Sequence, residues 1–300
     1  MEDVVIVGGG PAGLTAAIYV QRAGKHAVVL EGAVCGGQIL TASNVVNYPG
    51  IKQISGVDFA QELAEQTIAL GAEIRYVKAV SIEDKGEKHK VVHTTDGDIE
   101  CKAVILATGA SNRKLGAPRE DAFLGRGVSY CATCDGMFFR GKDVAVVGGG
   151  NTAIEDAKFL SNYCRKVYLI HRRNELRGDA GAAEELKEKE NVEFVLEANV
   201  TNLLGDDRLE QIEVTKLDGS KFVLDVSGLF IAVGQVPGNG AFANLVKLDN
   251  FGYIDAGEDC KTNVPGIFVA GDARTKIVRQ LATAAGDGAT AGLAAVNYVR

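Results

Sequence analysis

Two cysteines separated by two residues, Cys131-Ala132-Thr133-Cys134, form the most reactive pattern in the sequence. That spacing lets the sulfurs close a small disulfide ring, and a thiolate at a helix start is stabilised and reactive. Asp135 comes directly after and is placed to carry a proton to or from a departing thiolate. Zinc is the competing chemistry for a C-x-x-C, and it needs two further ligands at suitable spacing. No second C-x-x-C exists, and Cys35, Cys101, Cys164 and Cys260 stand alone. His89 and His93 lie in an alternating, hairpin-like stretch over residues 89–101 and read as surface residues. The expectation is a redox pair, no metal site, and four single cysteines with no redox partner.

Two glycine-rich runs carry a second chemistry. Gly8, Gly10 and Gly13 in one, and Gly148, Gly150 and Ala153 in the other, have the spacing G-x-G-x-x-G/A. The first glycine makes a tight turn, the second lets a pyrophosphate approach the backbone, and the third position lets helix and strand pack closely. Phosphate then sits on a helix N-terminus, where free N–H groups and the helix dipole favour an anion. The two copies differ in charge at the end of their second strands. Glu31 stands 31 − 13 = 18 residues past Gly13, where an acid accepts hydrogen bonds from a free ribose 2′-hydroxyl and repels a 2′-phosphate. That suits FAD or NAD. The equivalent place in the second copy holds His171, with Arg172, Arg173 and Arg177 after it. Cations there suit the 2′-phosphate of NADPH, which arginine can grip bidentately.

These residues need elements to hold them, and an internal repeat supplies the pattern. Shifted by 143 − 3 = 140, residues 3–31 lie on 143–171 without a gap. Each copy reads as apolar strand, glycine turn, helix and apolar strand, the context that makes a glycine spacing informative. The repeat continues loosely, with Ile105-Leu106-Ala107-Thr108-Gly109 resembling Phe230-Ile231-Ala232-Val233-Gly234. So long a period indicates two related α/β domains rather than a solenoid. Composition agrees. Glycine is 37 of 300 residues and proline 5, against averages of about 7% and 5%. Such a balance reads as many tight turns and close backbone approaches.

The net charge of 32 − 39 = −7 argues against a nucleic-acid or anionic-membrane binder. Val4 to Val20 carries no charge, but it comes after Glu2 and Asp3 and is interrupted by Gly8-Gly9-Gly10-Pro11, so it does not read as a signal peptide. No apolar run reaches the roughly 20 residues of a spanning helix. The expected location is the cytoplasm.

A hydride delivers two electrons, and a disulfide takes two electrons and two protons. A flavin joins the two steps. With all three parts present, the sequence resembles the low-molecular-weight thioredoxin reductases from Val4 to its end. The motifs that carry the resemblance are Gly8-Gly9-Gly10-Pro11-Ala12-Gly13, Gly36-Gly37-Gln38, Asn47-Tyr48-Pro49-Gly50, Ala107-Thr108-Gly109 and Cys131-Ala-Thr-Cys-Asp-Gly136. The later ones are Gly148-Gly149-Gly150-Asn151-Thr152-Ala153, His171-Arg172-Arg173 with Arg177, Gly271-Asp272 and Arg279-Gln280.

The resemblance implies an α/β fold of two Rossmann-like, three-layer ββα domains, with an NADPH domain at 113–243 inserted into a discontinuous FAD domain at 1–112 and 244–300. By that resemblance Glu31 holds the adenosine ribose of FAD, Gln38 and Asn47 line the flavin region, and Asp272 bonds the ribityl–pyrophosphate region. Arg279 and Gln280 sit against the flavin ring at a helix start. Cys134 faces the flavin, and Cys131 attacks the disulfide of thioredoxin. A homodimer is implied as well.

Three features depart from the usual pattern. Cys35 precedes the Gly-Gly-Gln turn, Gly178 comes after Arg177 where alanine is common, and Gly238 separates Pro237 from Asn239. Other acceptors remain open: a peroxiredoxin-type protein, a glutaredoxin-like protein, a small disulfide, or O₂ in a dithiol oxidase. No extra N-terminal disulfide domain precedes the first turn, which disfavours a self-contained peroxidase reductase. A dithiol oxidase would leave His171-Arg172-Arg173 without a purpose.

Overall fold

The first glycine turn joins a strand whose alternate residues face two different cores. A computed structural model describes all 300 residues. β1 (Glu2–Val7) leads through that turn into α1 (Pro11–Arg22), and β2 (Ala27–Leu30) returns parallel to β1. Pro11 stands in the first turn of α1, where its missing N–H costs nothing. Next in the chain are α2 (Gly56–Ala69), β3 (Glu73–Arg75), β4 (Ala79–Asp84), β5 (Lys90–Thr94), β6 (Gly97–Leu106) and β7 (Ala110–Asn112). β5 and β6 form the hairpin expected over residues 89–101.

Beyond them lie α3 (Glu120–Phe123), β8 (Val128–Ser129), α4 (Ala132–Asp135), β9 (Asp143–Val147), α5 (Asn151–Ser161) and β10 (Lys166–His171). They lead to α6 (Ala180–Lys187), β11 (Val192–Leu196), β12 (Ala198–Leu204), β13 (Gln211–Lys216), β14 (Lys221–Asp225), β15 (Gly228–Ile231) and β16 (Gln235–Pro237). β17 (Ile267–Val269) and α7 (Leu281–Val299) close the chain.

The chain divides into two compact units, Met1–Ser111 with Val236–Arg300, and Asn112–Gln235. The first unit therefore resumes at Val236, ahead of the expected residue 244. Asn239 and Phe242 are the reason, since both are buried against other parts of that unit.

In the first unit the sheet order is β3-β2-β1-β6-β5-β4, with β17 also paired to β6. β6 is long enough to serve two layers. Its Val104–Leu106 end joins β1 and β17 in parallel, and its Gly97–Cys101 end joins β5 antiparallel. Val4 and Ile6 face a core shared with Leu14 of α1 and Ala295 of α7. Val5 and Val7 face the opposite core, with Val92 of β5 and Phe242.

The second unit has the same plan. Its parallel sheet runs β11-β10-β9-β15-β8, beside a separate antiparallel β12-β13-β14. Val144 and Val146 face Ile154 and Leu160 of α5, while Ala145 and Val147 face Leu203, Ile212 and Val214. Each unit is thus a three-layer ββα arrangement. The gapless shift of 140 holds at the level of hydrogen bonding: Val4 pairs with Ala27 as Val144 pairs with Val167, and Ile6 with Val29 as Val146 with Leu169.

Candidate active site

Cys131 and Cys134 are joined in a disulfide. β8 ends at Ser129, so Cys131 takes the N-cap of α4 and Cys134 lies within that turn. Ala132 is fully buried and anchors the ring, while Thr133 is exposed. α4 is a single turn, so the help expected from a helix dipole reduces to the free N–H groups of that turn.

Asp135 is held by Ser129, whose Oγ donates to Oδ2 at 2.6 Å, and the same hydroxyl accepts the Cys131 N–H at 3.0 Å. Burial pushes the Asp135 carboxyl above the usual carboxylate range, and the Ser129 hydroxyl opposes that rise. Tyr130 donates to Glu120, a buried carboxylate that also accepts the Leu115 and Gly116 N–H groups. Met137 and Phe138, just past the disulfide, are 52% and 47% exposed. The four other cysteines are free and buried. Burial pushes the thiol of Cys101 up to about 12 and those of Cys164 and Cys260 up to about 11, and it raises Cys35 too. All four stay protonated near neutral pH.

In the first unit the glycines divide by what demands them. A Cβ on Gly8 would stand 2.3 Å from Ala107 O, and one on Gly13 would stand 1.9 Å from Gly8 O. The protein's own packing excludes both. Gly10 differs: its φ of −77° suits any residue, and an added Cβ would meet nothing within 4 Å. The space it leaves is free for a ligand at the α1 N-terminus.

Around that space stand the other expected residues of the unit. Gly37 packs on Gly10, and the Gly271 turn packs on Ala12. Glu31 accepts the N–H groups of Gly9 and Ala33 at 2.8 and 2.9 Å and keeps further lone pairs for a hydroxyl. Asp272 Oδ1 is buried without a partner, and burial raises its pKa against the pull of Lys276 and Arg279. Arg279 Nε is also buried and unpartnered, with its guanidinium 4.0 Å from the Tyr253 ring centre. Gln280 caps α7 and accepts from Asn47 at 3.4 Å. Gln38 donates to Ala110 O, next to Gly109. Orphaned polar atoms beside an open glycine turn fit a polar dinucleotide, which supplies the missing partners.

Two residues that sequence reasoning did not single out support this arrangement, and a third holds the disulfide turn. Asn239, 1% exposed, accepts from Thr108 at 2.7 Å and donates to Gly252 O and Ala273 O. A Cβ on the unusual Gly238 would stand 2.9 Å from Thr108 O, so the extra glycine lets this loop lie flat on Thr108-Gly109. Asp287 accepts Gly271 N–H and is paired with Arg274 and Lys276, which fixes the Gly271 turn to α7. Asp287 is the only charged residue of α7, and an isolated acid in a helix of small and apolar residues is the signal that could have found it. Ser129 is the third, and it carries no such signal.

The second turn repeats the first. A Cβ on Gly148 would stand 2.3 Å from Ala232 O, and Gly150 again faces open space ahead of Asn151, Thr152 and Ala153. Arg177 N–H and Gly178 N–H both bond Gly149 O, and Asn151 Oδ1 accepts Asp179 N–H at 2.7 Å. The loop bearing Arg177 is thus folded onto the turn. Gly178 is needed there, because a Cβ would stand 2.6 Å from Ile154 Cδ1. Arg172, Arg173 and Arg177 are exposed and form no ion pair. His171, which precedes them, is placed differently. Its ring is buried over Gly149, Nε2 lacks a partner, and burial, then Arg177, Arg172 and Arg173, lowers its pKa. Three unpaired guanidiniums beside an open helix N-terminus fit a phosphorylated nucleotide.

The whole chain is similar to proteins of known family. The family model for pyridine nucleotide-disulphide oxidoreductases matches residues 2–288. The thioredoxin reductase of Listeria monocytogenes serovar 1/2a is 42% identical over 299 residues, covering 99% of this chain and 93% of the relative. The crystal structure of thioredoxin reductase from Streptococcus pyogenes MGAS5005 is 38% identical with a TM-score of 0.95, covering 99% of this chain and 98% of that one. Thioredoxin reductase from Giardia duodenalis is 32% identical with a TM-score of 0.94, at 99% and 98% coverage. The chain belongs to the pyridine nucleotide-disulphide oxidoreductase family, and the three relatives just described are thioredoxin reductases.

Proposed function

We propose that this oxidoreductase moves electrons from NADPH through FAD to the Cys131–Cys134 disulfide and on to the disulfide of thioredoxin. The observation that carries the reading is that disulfide, seated at an N-cap with an acid on one side and exposed side chains on the other. The cofactors are FAD and NADPH. FAD belongs to the first unit, held by Gly8, Gly10, Pro11, Ala12, Gly13 and Glu31, with Gly37, Gln38, Asn47, Ala107, Thr108, Gly109, Gly271, Asp272, Arg279 and Gln280 around its flavin end. NADPH belongs to the second, on Gly148, Gly150, Asn151, Thr152 and Ala153, with its 2′-phosphate gripped by Arg172, Arg173 and Arg177 and His171 as a neutral wall.

FAD, when bound, supplies the link between a two-electron hydride donor and a disulfide. The residues of this chain do the rest. Two electrons and two protons convert the Cys131–Cys134 bond to two thiols, and Asp135 carries a proton to or from the departing thiolate. Burial raises its pKa, the direction that an acid in proton exchange needs. Cys131 then attacks the acceptor disulfide. A mixed disulfide forms, one acceptor thiol leaves, and Cys134 displaces the second as the Cys131–Cys134 bond re-forms. The exposed Met137 and Phe138 beside the ring favour a protein acceptor over a small disulfide, since they offer apolar area to a docked chain. No helix is long and apolar enough to cross a membrane. The reading extends to a cytoplasmic homodimer.

Anaerobic NADPH oxidation, compared with thioredoxin, a glutaredoxin-like protein and a small disulfide as acceptors, tests this. The expected result is a yellow protein whose colour NADPH bleaches, with a marked preference for thioredoxin. A colourless protein, or a flavin that NADPH leaves oxidised, refutes the reading, and equal rates with all three acceptors refute the thioredoxin assignment.

A further inference from the structure

Ser129 closes β8 and is 4% exposed. Its Oγ lies 2.6 Å from Asp135 Oδ2, 3.0 Å from Cys131 N and 3.4 Å from Cys131 O. A hydroxyl has one proton to donate and two lone pairs that accept. With Asp135 ionised, Ser129 donates to Oδ2 and accepts the Cys131 N–H. With Asp135 protonated, the carboxyl becomes the donor, Ser129 accepts from both neighbours, and its own proton turns to the Cys131 carbonyl. In both states the Ser129 hydroxyl, Asp135 Oδ2 and the Cys131 N–H stay paired. A buried carboxyl without such a neighbour is held neutral by desolvation alone.

We propose that Ser129 is a positioning residue of the redox centre, tying the Asp135 carboxyl to the backbone of Cys131 and reorienting its hydroxyl as Asp135 gains and loses a proton. The proposal rests on the reading of Asp135 as the proton carrier.

The elements packed against α4 are α5 and the turn Gly136–Phe139. Their charged or titratable side chains are Glu155, Asp156 and Lys158, with Arg140 and Tyr163 just beyond. None of them shifts Asp135, whose proton affinity responds to burial and then to Ser129. Tyr130, between Ser129 and Cys131, is engaged by Glu120. Asp156 is itself pushed up to about 7 by burial and by Glu155, so an Asp156→Asn background serves as the control.

The test tracks the carboxyl-carbon resonance of isotope-labelled aspartate against pH in the oxidised holoenzyme. Its Asp135 signal is assigned by loss in Asp135→Asn. In Ser129→Ala the donor to the ionised form is gone, so the Asp135 midpoint should rise by at least about half a pH unit, and Ser129→Thr should restore it. The limb of the pH–rate profile that Asp135→Asn abolishes should move with it, while NADPH bleaches the flavin at the wild-type rate. An unmoved midpoint in Ser129→Ala overturns the proposal, as does a shift that threonine leaves in place. Should the alanine variant not fold, Ser129→Val, which has the shape of threonine without its hydroxyl, must raise the midpoint above that of Ser129→Thr, and equal midpoints overturn the proposal. A wild-type enzyme that cannot reduce thioredoxin defeats the functional reading, and the Asp135 titration then decides the role of Ser129 independently.

Discussion

Arg172, Arg173 and Arg177 are exposed cations that no carboxylate neutralises, an unusual state in an acidic chain. The guanidinium fork matches a phosphate group and gains nothing from a ribose hydroxyl that an uncharged side chain would not supply. Replacing Arg172 and Arg173 with Ala should therefore raise the KM for NADPH by about tenfold or more and leave that for NADH nearly unchanged. Steady-state kinetics with both nucleotides decides this, and equal losses would sink the phosphate assignment. His171 behaves differently, because burial lowers its pKa from the ordinary 6.5. The unfolded chain binds a proton near that value and the folded chain does not, so protonation favours unfolding. Stability should be full above about pH 6.5 and fall as the pH drops through it, until the folded histidine protonates as well. Urea midpoints at pH 8 and pH 5.5 should differ less in His171→Asn than in wild type. An identical difference in both would place the acid sensitivity elsewhere.

At the scale of the element, the strand–turn–helix unit separates what folding needs from what a ligand needs. Gly13 faces Gly8 O at 1.9 Å from its virtual Cβ, so Gly13→Ala must push α1 off the sheet. Overpacking of this kind costs roughly 1–3 kcal/mol or more. Gly10→Ala meets no protein atom. It should leave the stability of the flavin-free protein within about 1 kcal/mol of wild type, the scale of an N-cap change. Its flavin content on purification should nevertheless drop. Thermal melts of flavin-free protein beside visible spectra of the purified variants would separate the two effects, and matched stability losses would contradict the division. The same unit explains what is legible in the sequence. Strand, turn and helix recur residue for residue because their contacts are local, and the Val4–Ala27 and Val144–Val167 ladders preserve the 140-residue shift. The supporting side chains are not legible in this way. Asn239 meets Thr108 across 131 positions, and Asp287 meets the Gly271 turn only once α7 has docked. Ser129 lies close to Asp135 in sequence, yet a serine two residues before a C-x-x-C carries no periodicity and no charge to mark it. The burial of His171 is hidden for a related reason, since the arginines after it suggest an exposed face and only the packing over Gly149 reveals otherwise.

For the whole molecule, the decisive fact is that no buried apolar cluster is shared between the two units. The two clusters of the first unit draw only on residues before Ser111 and after Val236, and the two of the second draw only on residues between them. Each unit also has its own parallel sheet, closed by its own antiparallel strands. A unit that owns its core and its parallel sheet has what cooperative folding requires. Residues 112–235 expressed alone should therefore melt in one transition by circular dichroism. They should bind NADPH calorimetrically, with an affinity that falls in Arg172→Ala, and take up no flavin. The complementary chain can be joined directly, because Ser111 Oγ lies 3.4 Å from Val236 O and a short bridge there spans the gap. That joined chain should bind FAD and stay yellow, yet NADPH should fail to bleach it, because the arginine cluster and the second glycine turn are gone. If the excised unit remains unfolded until the rest of the chain is added, the cores are not independent and the two-unit account of cofactor binding fails with them. If both pieces hold their cofactors and NADPH still fails to bleach the flavin when the two are mixed, the activity belongs to their covalent connection, and the inserted arrangement of the chain is itself part of the mechanism.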